Sequence, residues 1–264
     1  MKKLIALLAV LAVFGLATAA QATLTMSGAT YGSPTHYQSY SSTSPSQFST
    51  AGGGPFTNTL TTGGGDRYWL GTGEYFYLEN CEDGSVDTTG LTSSDPVSGP
   101  SGGYDSVDED DGTVNNQSYG TGRDVFHGGG PNPTVTTFTF SAAALGGQLP
   151  TYAGLVMTDG DQNGGATITI TAYDSLNASL GSFSFVASDY FDNSFGSTST
   201  AEDTFFGFYS SGGIAKIEAS VGGTGDFSGE YDHIQYGYLA PPIAEPVGLG
   251  LLGVALLGLR RRRS

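Results

Sequence analysis

The chain has 264 residues, 42 of them Gly, and sets 25 Asp and Glu against 9 Lys and Arg, for a net charge of −16. Lys2, Lys3 and Arg260 to Arg263 lie at the two ends, which leaves only Arg67, Arg123 and Lys216 as basic residues in between. Phosphate backbones and anionic lipid are repelled by such a surface, so nucleic acid is excluded as a partner, while divalent cations suit it.

At the amino terminus, Lys2 and Lys3 precede an unbroken apolar run from Leu4 to Leu16, and Ala17-Thr18-Ala19-Ala20-Gln21-Ala22 offers small residues to a signal peptidase. This is the pattern of an export signal over 1–22, cut after Ala22 or alternatively after Ala19 or Ala20. A short amphipathic or buried helix is the plainer alternative, but the run carries no polar face and sits behind two lysines at the extreme terminus. Residues 23–72 are rich in Ser, Thr and Gly, as in Ser41-Ser42-Thr43-Ser44-Pro45-Ser46 and Thr61-Thr62-Gly63-Gly64-Gly65. They predict an irregular segment that spreads over the edge of the following domain and does not fold alone.

From residue 73 to 239 short alternating apolar runs are separated by Gly, Asn, Asp and Ser clusters. Strands are predicted at Glu74–Leu78, Thr134–Phe140, Tyr152–Met157, Ala166–Tyr173, Leu180–Val186, Thr204–Tyr209, Ile214–Val221 and Tyr231–Tyr238. Ser141 to Leu145 could form a single helical turn. Evenly spaced short strands with Gly-rich turns indicate one all-β domain folded as a two-sheet sandwich. Cys81 is the lone cysteine, which precludes an intramolecular disulfide and suggests a small buried apolar residue rather than a reactive thiol.

No phosphate loop, dinucleotide fingerprint, nucleophile elbow or His-Glu-x-x-His helix is present, and His36, His127 and His233 lack ligand spacing. The chain is therefore expected to be non-catalytic. Trp69 with Tyr68, and Tyr75 with Tyr77, either form a sugar-stacking platform or fill the core, and core filling is the commoner use of such rings. Asn116-Gln117-Ser118 and Asn177-Ala178-Ser179 match glycan acceptors through a short pattern that arises readily by chance.

Two acidic constellations invite a cation. Asp159-Gly160-Asp161-Gln162-Asn163-Gly164 matches the first half of a calcium loop, but the twelfth position is Ile170 where a bidentate Glu is needed. A plain turn between strands explains Asp159, Asp161 and Asn163 better. In the last strand, alternation gives Asp232 the phase of Ile234, Tyr236 and Tyr238, so it is expected to face the core; Glu82 shares the phase of Phe76 and Leu78 if that strand runs on. A structural Ca2+ held by Glu82 and Asp232, with Asp83 as a weaker ligand, would relieve the cost of buried carboxylates in a chain with so few cations. A solvated Asp232 at a strand end is the alternative.

The chain closes with Pro241-Pro242-Ile243-Ala244-Glu245-Pro246, the apolar run Val247 to Leu259, and Arg260 to Arg263. A helix over that run spans about 20 Å, short of the roughly 30 Å hydrocarbon core, which suits a temporary anchor with the arginines held cytoplasmic. An ordinary single-pass anchor is the plainer alternative. This tail resembles that of the PEP-CTERM proteins, with Ala244 where their Pro-Glu-Pro motif opens. The resemblance implies recognition at Ala244, Glu245 and Pro246 by an exosortase-like membrane protease, removal of a sorting tail over 240–264, and a cell-surface or matrix location with membrane contact only through residues 247–259.

A second resemblance covers most of residues 74 to 239. Leu78-Glu79-Asn80-Cys81-Glu82-Asp83-Gly84 is similar to the Phe-Glu-Asp-Gly opening of jelly-roll domains found in carbohydrate-binding modules and PEP-CTERM ectodomains. The segments Asp105 to Gly112, Gly154 to Gly160, Glu202 to Gly207 and Asp232 to Gly237 resemble further parts of that group. A jelly-roll sandwich flanked by a signal helix and a sorting helix is thus expected. Its role is that of a non-catalytic surface or matrix protein, with a carbohydrate-binding module for extracellular polysaccharide as the alternative; jelly-roll modules of this kind often hold one structural calcium away from the sugar site.

Overall fold

A computed structural model of the chain describes residues 35–36, 48, 55–56, 61–62, 67–98, 123–127, 134–157, 165–186, 204–223 and 229–240. These form strands and turns only. The strands are β1 (Thr35–His36), β2 (Thr61–Thr62), β3 (Arg67–Leu70), β4 (Tyr75–Glu79), β5 (Leu91–Ser93), β6 (Val97–Ser98) and β7 (Asp124–His127). After them come β8 (Thr134–Phe140), β9 (Tyr152–Met157), β10 (Thr167–Tyr173), β11 (Ser179–Val186), β12 (Thr204–Tyr209), β13 (Lys216–Gly222) and β14 (Gly229–Tyr238). All eight strands expected from alternation are present within two residues of their predicted bounds. The six that alternation missed are two to four residues long, too short to show a period. Ser141 to Leu145 makes the anticipated turn, with Leu145 N donating to Ser141 O at 3.0 Å.

The strands form two antiparallel sheets, one ordered β1-β12-β9-β14-β4-β3-β2 with β7 and β6 attached beside β14, the other β11-β10-β13-β8-β5. They pack face to face as a sandwich. Phe138 meets Tyr231 with ring centroids 5.9 Å apart, Phe140 meets Tyr236 at 5.0 Å, and Phe183 meets Phe208 at 5.1 Å. Alternation does the sorting: along β8 and β13 every second residue is buried, and Ile168, Ile170, Ile217, Ala219 and Val221 face inward.

The larger sheet is buried on its outer face as well. Phe76, Leu78, Val156 and Phe205 form a second apolar cluster there, closed by Phe48 and Phe56. Glycines on the sheet let these rings lie flat against the backbone. A Cβ on Gly207 would come within 2.6 Å of Phe205 Cε1 and 2.8 Å of Phe48 Cζ, and one on Gly237 would collide with Phe56. Phe48 and the described strands β1, β2 and β3 all belong to the stretch expected to be irregular. That stretch contributes strands to the sheet and rings to its outer face. The signal and sorting helices, with 1–22 and 241–264, lie outside the described residues.

Candidate functional site

An acidic corner forms where β4 and β7 meet the same edge of β14. β7 pairs with Gly229 to Tyr231 and β4 with Ile234 to Tyr238, so Asp232 and His233 fall at the junction between them. On the opposite edge, against β9, the register jumps from Asp232↔Val156 to Gln235↔Gly154. Two residues of β14 therefore oppose one of β9, and His233 absorbs the bulge with φ of 45°.

The bulge reverses the side on which Asp232 was expected. Directly paired residues share a face, and Val156 belongs to the outer cluster, whereas Ile234 and Tyr236 belong to the core between the sheets. Asp232 thus faces away from Ile234, because alternation does not survive an inserted residue. It is nonetheless fully buried, since the outer face of this sheet is covered too. Asp232 Oδ1 accepts the His233 backbone N–H at 2.6 Å, and Oδ2 lies 3.1 Å from His233 Nδ1, an ion pair whenever the imidazole is protonated.

Glu82 also departs from its expected position. β4 stops at Glu79, and residues 81–84 form a turn in which Gly84 N donates to Cys81 O at 2.9 Å and Cys81 adopts φ of 58°. Glu82 is half-buried in that turn and Asp83 is exposed, its Oδ1 accepting the Ser85 N–H and hydroxyl. Arg123 packs its guanidinium against Gly84, and Asp124 beside it is buried. Cys81 is buried in the core, as a small apolar residue would be.

The carboxylate that organises this corner is Glu79. It is fully buried; Oε1 accepts Cys81 N at 2.8 Å, and Oε2 accepts Asp87 N at 3.0 Å, Thr88 N at 3.1 Å and Thr88 Oγ1 at 2.9 Å. Charge-assisted bonds from backbone donors are how a buried carboxylate is tolerated without a cation. Sequence reasoning passed over it because it gave the core-facing phase of this strand to Phe76 and Leu78; those residues face the outer cluster, and Tyr75, Tyr77 and Glu79 take the inward phase. Among the described residues no group of three or more His, Cys, Asp or Glu side chains is placed to hold a metal ion. Asp159, Asp161 and Asn163, like Ala244, Glu245 and Pro246, lie outside the described residues.

The aromatic candidates divide. Tyr75 is buried, donates its hydroxyl to Gln148 O at 2.8 Å, and has its pKa pushed up by burial and by Tyr77 and Tyr238. Trp69 packs against the outer cluster and Tyr77 against the core. Tyr68, at 44 % exposure, remains open to solvent, with its ring 6.3 Å from that of Tyr77.

No family model matches this chain, and no curated protein is similar to it. Among solved structures it is similar to the K3 cleaved adhesin domain of Lys-gingipain from Porphyromonas gingivalis W83, at 14 % identity over 66 % of this chain and 99 % of that one. The TM-score of 0.33 is too low for that likeness to support a functional argument.

Proposed function

We propose that this chain is a non-catalytic protein of the cell surface or extracellular matrix, exported by residues 1–22 and sorted by an exosortase-like membrane protease that acts near Ala244, Glu245 and Pro246. The observation that supports it is that the last described strand ends inside the sandwich, before the tail begins. β14 lies inside the large sheet and ends at Tyr238; Leu239 N then donates to Thr151 Oγ1 at 3.3 Å and Ala240 N to Glu74 Oε1 at 3.2 Å. The last described strand therefore closes within the sheet before the motif at 244–246 is reached. No helix among the described residues is long and apolar enough to cross a membrane; residues 247–259 are assigned that role from their sequence. In this reading the sandwich is of the jelly-roll type. A structural Ca2+ at Glu82 and Asp232, with Asp83 weaker, belongs to the same proposal.

Intact-mass spectrometry of protein extracted from cells with the cognate exosortase tests the sorting step. The mature form should begin near Thr23 and lack Arg260 to Ser264; recovery of those residues would leave an ordinary membrane anchor. The exposed Tyr68 beside Tyr77 favours one second reading, a carbohydrate-binding module. Retention of the 23–240 fragment by extracellular polysaccharide, lost in Tyr68→Ala, would establish it.

A further inference from the structure

The sandwich is polarised from end to end. The turn 71–74, the segment 141–151, the turn 174–178, the segment 210–215 and Leu239–Ala240 all lie at one end. The registers Tyr75↔Tyr238, Tyr152↔Tyr209 and Tyr173↔Lys216 align the strand ends there. Backbone bonds from Ile214 N to Pro150 O, from Ala215 N to Tyr173 O and from Thr151 N to Gly237 O tie these segments together. Segments 141–151 and 210–215 contain no charged residue. The two carboxylates present accept backbone N–H groups: Glu74 from Ala240, and Asp174 from Leu176 at 2.9 Å and Ala178 at 2.8 Å. At the other end stand Glu79, Glu82, Asp83, Asp124, Glu230 and Asp232.

The less acidic end also bears the two most exposed large apolar side chains among the described residues. Leu176, 86 % exposed, tops the β10–β11 turn, whose shape is fixed by the Asp174 carboxylate and by Asn177 at φ of 63°. Leu70, 59 % exposed, ends β3. Ala240 lies here too, with six residues, 241–246, between it and the apolar run that starts at Val247.

We infer that this end of the sandwich seats on the lipid bilayer, with Leu176 and Leu70 entering the boundary between headgroups and acyl chains while the tail is still in place. The inference rests on the anchored-tail reading above. A linker of residues 241–246, with Pro241, Pro242 and Pro246, reaches about 3.1 Å per residue when extended, so the sandwich cannot move far from the membrane that holds residues 247–259. At that proximity two apolar side chains suffice to orient it, because the anchor supplies the effective concentration. Charge sets the same direction: the end with fewer carboxylates meets an anionic surface and the more acidic end points away from it.

The test uses the full chain, tail intact, in vesicles of phosphatidylethanolamine and phosphatidylglycerol, with an environment-sensitive fluorophore on Leu176→Cys or, at the opposite end of β8, on Val135→Cys. Wild-type protein, with Cys81 buried, gives the labelling background. The inference expects a blue shift at position 176 and loss of its emission when nitroxide-headgroup lipid is included, with neither change at 135. Equal, water-like spectra at both positions in protein that floats with the vesicles would overturn the seating alone. Failure to float would overturn the anchor and the seating together. A shift at 176 that follows protein concentration at fixed lipid would mean contact between copies of the chain and would also overturn it.

Discussion

Glu79 shows how one side chain holds a loop of this domain in shape. Its two oxygens collect donors from Cys81, Asp87 and Thr88, so they tie the strand end to residues up to nine positions ahead. Truncation in Glu79→Ala would leave several buried donors without acceptors, and hydrogen bonds to a charged group are worth roughly 1.5–3 kcal/mol each. Unfolding by urea should therefore show a loss of at least about 3 kcal/mol. Glu79→Gln should fall between the two, since its amide keeps one acceptor but turns a donor toward donors. The calcium proposal belongs to this scale as well. Addition of calcium should raise the melting temperature of the parent by mass action and raise it less in Asp232→Asn; an equal rise in both, or none in the parent, would remove the ion from the corner.

Among the elements, the outer cover of the large sheet is the part with the clearest energetic consequence. Phe56 packs on Phe76 with ring centroids 4.5 Å apart and on Tyr152 at 5.5 Å, and its backbone N–H donates to Phe48 O at 3.1 Å. Phe48 meets Phe205 edge-on at 4.9 Å, and its N–H reaches Gln235 Oε1 at 3.4 Å. Phe56→Ala should cost about 3–5 kcal/mol, the range for emptying a packed aromatic site. A change within experimental error would mean that the outer cluster closes without this ring. The same contacts place the true start of the folding unit well before residue 73, because a fragment beginning there would expose Phe76, Leu78, Val156 and Phe205 together.

For the molecule as a whole, buried phenols set an alkaline limit. Burial is the main cause that pushes the pKa of Tyr231 up, with Thr136 opposing and Asp95 adding; Tyr75 is raised for a similar reason, and Tyr152 is raised by burial and by Tyr209. A phenol whose folded pKa exceeds its unfolded value of about 10 is neutral in the folded chain but ionises once unfolded. Its contribution is complete below that pH and is lost as pH rises through and beyond it. Stability should hold to about pH 10 and then decline, with tyrosinate absorbance appearing in the same step as unfolding. Free ionisation of all tyrosines before any loss of structure would show that these hydroxyls are accessible.

Short apolar runs bounded by Gly, Asn, Asp and Ser were enough for the fold class and the eight longer strands, and half-buried strands such as β8 and β13 also write their apolar face into every second residue. The resemblance of the tail, and the anchored reading built on it, likewise come from local composition. The remaining features depend on pairing between distant segments. The bulge at His233 inverted the phase of Asp232, a one-residue event that no periodic pattern records. Thr35–His36 and Phe48 joined the sandwich through partners far along the chain, with β1 on β12 and Phe48 on Gln235. The gathering of Leu70, Leu176 and Ala240 at one end, opposite the acidic corner, follows from strand register across two sheets. Residues that distant in sequence are brought together by long-range pairing alone, which local propensity cannot specify.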